Sequence, residues 1–276
     1  MIGVDVILIT YNQQAYVEKA VDSFLLQKVA LDIQLRLIVA DDCSTDSTLL
    51  LIKEKLSNCP YEVEYLPKEH NVGFVKNYQQ AFKACQGDYV VVLEGDDYWL
   101  QGHIQQHIDF LEAHPDCSMS MNNISWLRAS SNTPSNDWYW DGDVRLVSLA
   151  EQLGRGNQLG NLSACAFRSS LIRLLPDNFF NLNMADWELG AFMAQYGTIG
   201  ILKESTSVYR VSENGQWAGL AENEKRKRLV RDVRAMDSFF EHKYHAYCRK
   251  YEFKICHPRL QSIKNRLGVL YRKLFQ

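Results

Sequence analysis

An apolar run over residues 88–93 (DYVVVL) ends abruptly in Glu94-Gly95-Asp96-Asp97. Three carboxylates within four residues repel one another unless a cation neutralises them. A few hard oxygen ligands at the end of a buried strand suit Mg2+ or Mn2+, ions that also hold substrate phosphates. The lesser alternative is a solvated acidic turn that caps the 101–114 helix. Two further polar clusters leave apolar runs in the same way. Residues 4–9 (VDVILI) lead into Thr10-Tyr11-Asn12, and residues 33–40 (IQLRLIVA) lead into Asp41-Asp42. One acidic pair after a strand is often a turn or a helix cap. Three clusters converging on one edge of a sheet point to a ligand site.

The elements that must position these residues follow from periodicity. Val17, Ala20, Val21, Phe24 and Leu25 recur at helical spacing. Ser44, Thr45, Asp46 and Ser47 offer N-caps for a helix through Leu49, Ile52 and Leu56. Residues 61–66 (YEVEYL) alternate as a strand, and Phe74, Tyr78, Ala81, Phe82 and Cys85 mark a third helix after the Asn71-Val72-Gly73 turn. The order β-α-β-α-β-α-β calls for a parallel sheet with helices on both faces. Such sheets bind ligands at the carboxyl ends of their strands. Beyond residue 99 the alternation loosens. Helices are expected over 101–114 and 186–196, and strands over 117–122, 161–168, 198–202 and 205–210. A polar loop is expected over 128–144, and a helical stretch from 222 onward.

Charge is unevenly distributed. The chain carries 30 Lys and Arg against 33 Asp and Glu, for a net charge of -3. Residues 222–276 hold 15 basic and 6 acidic residues, and residues 1–221 hold 15 and 27. The near balance argues against a dedicated nucleic-acid binder, and no aromatic stacking platform accompanies the basic stretch. Residues 225–234 and 264–275 interleave cations with apolar residues. Such helices lie on anionic membrane surfaces, or pack an apolar face on a core with their charges in water. No apolar run reaches the ~18 residues of a membrane span. The N-terminus lacks a signal peptide's basic flank and cleavage site. Seven cysteines without CxxC or Cys/His spacing read as buried free thiols, which fits a reducing cytoplasm. The first turn matches neither GxGxxG nor GxxxxGK[ST], which disfavours nicotinamide, flavin and P-loop chemistry. A nucleotide bound there would need metal and basic side chains for its diphosphate.

Five strings in order are VILITYN (6–12), VADDCSTDST (39–48), HNVGFVKN (70–77), GDYVVVLEGDDYW (87–99) and ADWELG (185–190). Together they resemble family 2 glycosyltransferases with the GT-A fold, over roughly residues 3–212. EGDDYW is similar to the string in bacterial enzymes that build surface polysaccharides. The resemblance implies an α/β fold with a mostly parallel nucleotide-binding sheet flanked by helices and a helical C-terminal extension. It divides the chain into a catalytic domain, 1–221, and a basic helical extension, 222–276. Within the domain, 1–99 would bind the nucleotide sugar and 100–221 the acceptor.

The resemblance also implies residue roles. Thr10, Tyr11, Asn12 and Asp42 would hold the base and ribose. Glu94-Gly95-Asp96 stands for the family's D-x-D motif, with glutamate in place of the first aspartate. Asp96 and Asp97 would ligate Mg2+ or Mn2+. Lys76 and Asn77 would line the donor site, and Arg210 would meet the diphosphate or the acceptor. Asp186, with Glu188 nearby, would be the catalytic base, kept ionised by the helix dipole. Ala185 stands where the family often has another acidic residue. Ser212 stands where a histidine often follows the last core strand, ahead of Asn214-Gly215-Gln216-Trp217. The implied reaction is inverting transfer of a sugar from a UDP- or dTDP-sugar to a hydroxyl of a glycan or lipid-linked glycan. The setting would be surface polysaccharide (O-antigen, cell envelope) biosynthesis, cytoplasmic and peripheral on the plasma membrane. A sugar nucleotidyltransferase would need a Gly-rich basic first loop, which TYN does not supply. A non-catalytic nucleotide-sugar-binding module on the same fold stays open, on the strength of Glu94 and Ser212.

Overall fold

A computed structural model describes residues 1–128, 133–135, 142–183, 186–211 and 220–258. The chain opens with the expected alternation: β1 (Ile2–Thr10), α1 (Val17–Leu25), β2 (Ile33–Asp41), α2 (Thr48–Lys55), β3 (Glu62–Tyr65), α3 (Phe74–Ala84) and β4 (Tyr89–Glu94). β1 pairs in parallel with β2 on one side and β4 on the other, and β3 adds in parallel to β2. β1 from Val4 and β4 up to Leu93 are buried on both faces, which is why they read as apolar runs. Val6, Leu8, Leu37 and Val91 pack under Val17, Val21 and Phe24 of α1. Ile7, Ile9, Val90 and Val92 pack under Tyr78 and Phe82 of α3. Each large side chain buried this way contributes about 1.5–3 kcal/mol. The register sets Thr10 opposite Asp41 and Ile9 opposite Glu94. The three polar clusters therefore emerge at one rim.

The second half is mixed. It comprises β5 (Tyr98–Trp99), α4 (His103–Ala113), β6 (Cys117–Arg128), β7 (Val144–Val147), α5 (Leu149–Arg155), β8 (Cys165–Arg168), α6 (Ser169–Ile172), α7 (Asp186–Met193) and β9 (Thr198–Val211). The sheet order is β3-β2-β1-β4-β8-β6-β9-β5, with β7 also on β9. β8 runs antiparallel between β4 and β6, while β6 and β9 run parallel.

Several expectations are corrected here. The strand expected over 161–168 begins only at Cys165, because Leu162–Ala164 forms a 3-10 turn that aims Asn161 and Ser163 toward the rim. The two strands expected over 198–202 and 205–210 are one strand, β9, which pairs β6 across a register shift at Asn122/Ile124. β6 runs on to Arg128. The helix expected from Gln101 begins at His103, because Gly102 takes a left-handed backbone with φ 86°. The helix expected through Tyr196 ends at Met193. Val144, expected in a loop, starts β7; two-residue β5 and four-residue β7 are too short to show a period. Trp138, Tyr139 and Trp140 of that loop lie outside the described residues.

The C-terminal extension is α8 (Glu222–Phe239) and α9 (His245–Cys256). Val233, Met236, Phe240 and Cys248 bury against Leu153, Trp187 and Ala191. Lys254 Nζ donates to the Gly154 carbonyl at 2.6 Å. The extension is thus an integral wall of the core, and its basic residues ride on the outside. Residues 264–275 lie outside the described residues. Among the described residues no helix is long and apolar enough to cross a membrane. All seven cysteines are free thiols, and Cys85, Cys117, Cys165 and Cys248 are buried.

His103 and His107 lie fully buried one turn apart on α4. Their Nδ1 atoms meet Thr206 Oγ1 at 3.0 Å and Ser120 Oγ at 2.7 Å. Burial pushes His107 down to about 4 and His103 further below the ordinary histidine value. A folded pKa below the unfolded ~6.5 means stability that is complete above pH ~6.5 and lost as pH falls toward 4. His107 should cost about 2 kcal/mol at pH 5 relative to pH 7, and His103 acts in the same direction. Denaturant unfolding at the two pH values checks this, and His107→Asn should shrink the difference.

Candidate functional site

The acidic string at the end of β4 divides into inward and outward groups. Asp97 is 1% exposed. Its Oδ2 accepts from Asn161 Nδ2 at 2.8 Å and Ser163 Oγ at 2.7 Å, and its Oδ1 accepts from the Arg210 backbone N–H at 2.9 Å. Glu94 accepts from the Tyr78 hydroxyl and from Asn161 Nδ2, both at 3.0 Å. Ser163 Oγ also accepts the Glu94 backbone N–H, and the Ser163 carbonyl accepts the Trp99 indole N–H at 2.7 Å. Asp96 is half-buried. The Arg210 guanidinium donates from Nε to the Asp96 carbonyl at 3.0 Å and lies 4.6 Å over the Tyr16 ring. Gly95 is required by crowding: a Cβ there would collide with Gln13 Oε1 and sit 2.8 Å from Thr10 Oγ1.

All three carboxyl groups titrate high. Burial, then Asp97 and Asp96, lifts Glu94 well above the carboxylate range. Burial, then Asp96, pushes Asp97 up to about 7. Burial raises Asp96, against the opposing pull of Arg210 and Gln13. Such uncompensated repulsion is relieved by a cation, and an all-oxygen donor set fits Mg2+ or Mn2+. Asp96 is the more exposed of the two aspartates, and Gln13 is hydrogen-bonded to its carboxylate. Asp97, expected as its co-ligand, has both oxygens hydrogen-bonded to protein donors.

The other clusters build the adjoining floor. Asn12 Oδ1 accepts from the Thr45 N–H at 2.8 Å, and the Gln13 N–H donates to Thr48 Oγ1 at 2.7 Å. The first-strand turn and the 44–48 loop are thus sewn together. Tyr11 stays exposed above them. The Asp42 carboxylate is buried and accepts the Val72 and Gly73 N–H groups at 2.9 and 2.8 Å. Lys68 Nζ donates to the Asp41 carbonyl at 3.1 Å, and burial lowers its pKa. Asn77 is buried and ties α3 to the Ala40 carbonyl at 2.8 Å, whereas Lys76 is exposed on α3.

Asp186 opens α7 and accepts from Asn157 Nδ2 at 2.6 Å. Burial raises its pKa, against the hydrogen bonds of Asn157 and of the Trp187 and Asp186 backbone. The helix terminus was expected to hold this carboxylate low; desolvation outweighs it. Glu188 is buried beside it in the helix. Asp186 belongs to the same electrostatic neighbourhood as the string: the Tyr209 hydroxyl is pushed up to about 12 by burial, then by Asp97, Glu94, Asp96 and Asp186.

Residues 5–173 match the family model described as glycosyl transferase family 2. The chain belongs to that family. It is 28% identical over 217 residues to an uncharacterized protein of Mycobacterium tuberculosis, covering 77% of this chain and 60% of that protein. It thus spans about 60% of the length of the first such relatives. It is 26% identical over 237 residues to the dTDP-rhamnosyl transferase RfbG of Shigella flexneri, covering 80% of this chain and 77% of that one. It is 33% identical over 133 residues to the putative teichuronic acid biosynthesis glycosyltransferase TuaG of Bacillus subtilis, covering 48% and 50%. Among solved structures, S. aureus TarS in complex with UDP-GlcNAc aligns with a TM-score of 0.61 at 18% identity, covering 84% of this chain and 65% of that chain. The mannosyltransferase PcManGT from Pyrobaculum calidifontis, in complex with GDP-Man and Mn2+, aligns with a TM-score of 0.60 at 17% identity, covering 84% and 63%. The fold is the GT-A fold.

Within this family 2 chain the structure brings Thr10, Glu94, Gly95, Asp96, Asp97, Arg210 and Asp186 to one rim, with Tyr11, Asn12, Asp42 and Asn77 shaping its floor. The family match ends before Asp186 and Arg210. Ala185, Ser212, Asn214, Gly215, Gln216 and Trp217 lie outside the described residues. Sequence reasoning missed Asn157, Asn161, Ser163, Gln13 and Tyr78. The available signal was the polar, glycine-punctuated stretch 156–163, where apolar strand neighbours drew the eye instead.

The division between Asp96 and Asp97 is measurable. Asp97→Asn sets an amide N–H against buried donors and should cost about 3 kcal/mol of stability. Asp96→Asn removes a repelling charge and should change stability by less than about 1 kcal/mol. Urea unfolding of the two variants checks the order; equal losses would refute it.

Proposed function

We propose that the chain is an inverting glycosyltransferase that moves a sugar from a UDP- or dTDP-sugar to a hydroxyl of a glycan or lipid-linked glycan in surface polysaccharide biosynthesis. One observation carries this reading. Two partly exposed carboxylates, Asp186 and Asp96, lie in one electrostatic neighbourhood with Glu94 and Asp97, which several protein donors hold. The printed activities of RfbG and TuaG support the process and a dTDP donor, and the TarS complex supports a UDP donor. The chain divides functionally as 1–99 for the donor, 100–221 for the acceptor and 222–276 as the extension.

The roles follow from placement. The exposed Tyr11 ring offers a stacking face for the base. Asp42 shapes the adjoining wall by holding the 72–73 backbone. Asp96 would hold Mg2+ or Mn2+ together with the donor phosphates. Such an ion supplies charge neutralisation to a departing nucleoside diphosphate. Arg210 adds a fixed positive group beside Asp96. Asp186 takes the proton from the acceptor hydroxyl. The acceptor oxygen bonds to the anomeric carbon as the carbon–oxygen bond to the diphosphate breaks, inverting that centre. Burial makes Asp186 a stronger base than a solvated aspartate, and Asn157 orients it.

A thermal-shift panel of nucleotide sugars with Mg2+ or Mn2+ identifies the donor. With it, Asp186→Asn should lower turnover by about 10²–10⁴-fold while donor affinity stays near wild type. Turnover should rise with pH as Asp186 ionises. Asn157→Ala removes a hydrogen bond that favours the ionised form, so the inflection should move to higher pH. Wild-type turnover in Asp186→Asn, or turnover indifferent to EDTA, refutes the respective role.

The extension also fits the anionic face of a membrane that carries a lipid-linked acceptor, on its cytoplasmic side. A groove of about 480 Å³ between α8 and α9 sets Arg226, Lys227, Arg231 and Arg234 around Val230 and Ile255. Each basic residue near such a surface adds about 1 kcal/mol. Replacing these four cations by Gln should abolish co-sedimentation with anionic liposomes and leave neutral liposomes unbound. Undiminished sedimentation of the variant overturns this placement.

A further inference from the structure

The junction of α8 and α9 carries a cluster that the proposed reaction does not use. Asp237 lies near the end of α8, His242 in the connecting turn, and His245 at the first position of α9. His242 Nδ1 is 2.9 Å and His245 Nδ1 is 2.7 Å from the same oxygen, Asp237 Oδ2. Asp237 is 7% exposed, and its other oxygen, Oδ1, is buried with no hydrogen-bond partner. Both imidazoles are exposed. The turn that sets them there is itself costly. Glu241 and His242 take left-handed backbones, with φ 50° and 59°, and the His242 N–H closes the turn onto the Asp237 carbonyl at 2.8 Å.

We propose that Asp237, His242 and His245 form a binding site for a divalent transition-metal ion of the Zn2+ class. The donor set decides the class. Two imidazole nitrogens with one carboxylate suit Zn2+, whereas Mg2+ takes oxygen ligands. The three ligand groups already lie within 4.8 Å of one another. A cation here would replace two N–H donors crowded on one oxygen, and the orphaned Oδ1 is available on the same carboxylate. Each neutral ring keeps its single proton, which moves from Nδ1 to the exposed Nε2 as the metal takes Nδ1. Water completes the shell on the open side. The ion would staple the last turn of α8 to the first turn of α9, in the hairpin that packs on α7. This site is separate from the all-oxygen rim at Asp96, and its test does not depend on transfer activity.

The full chain, stripped with a chelator and dialysed, is titrated with Zn2+ and with Co2+. In wild-type protein labelled with 15N at histidine, Zn2+ should switch two of the seven histidines from the Nδ1–H to the Nε2–H tautomer. Co2+ should give visible ligand-field bands at one equivalent, and Zn2+ should raise the thermal midpoint. His242→Gln with His245→Gln should lose both responses, and Asp96→Asn should keep them. Absence of the tautomer switch in the wild type overturns the site whatever the variants do. Undiminished Co2+ bands in the double variant also overturn it.

Discussion

The Asp97 carboxylate is the meeting point of the molecule. It gathers donors from Asn161, Ser163 and Arg210, which lie 64, 66 and 113 residues away. Those donors belong to the 3-10 turn before β8 and to the end of β9. The parallel half of the sheet supplies the carboxylate, and the mixed half supplies every group that satisfies it. Removing a charge from water is tolerable only when its hydrogen bonds are complete. That requirement joins the two halves at this point and so fixes where Asp96, Asp186 and Arg210 stand relative to one another.

The same constraint explains the electrostatic character of the rim. Glu94, Asp96, Asp97 and Asp186 crowd a region of low dielectric, and all four titrate high. A fold selected for stability alone would disperse them. Crowding of this kind marks functional sites. The protein's own donors absorb part of the repulsion, at Tyr78, Asn161, Ser163 and Asn157.

The legibility of the chain followed its physics. The parallel half was readable because β1 and β4 are buried on both faces and α1 and α3 are amphipathic, so period and burial coincide. Register then put Thr10, Asp41 and Glu94 side by side without further information. The mixed half was less readable. Cys165–Arg168 is too short to show alternation, and β9 changes its alignment along β6 midway, which splits one strand into two apparent ones. Asp186 was found through the string ADWELG, and not through any periodicity. Asn157 and Asn161 were invisible because a polar residue's partner lies far along the chain. The hydrogen bonds of Asp97 were invisible for the same reason: nothing in EGDD tells which carboxylate meets Asn161.

Synthesis from the N-terminus gives these long separations a temporal meaning. β1 to β4 and their helices can assemble as soon as the first hundred residues have left the ribosome, since β1, β2, β3 and β4 pair within that stretch. Asp97 by then has none of its three donors. Two arrive with residues 161–163, and the last arrives with Arg210, at the far end of β9. Until β8 follows, the nascent sheet ends on a bare β4 edge beside that carboxylate. Completion of the rim is therefore a late event that waits on Arg210, and a chain stalled before residue 165 would expose the β4 edge to chaperones and proteases.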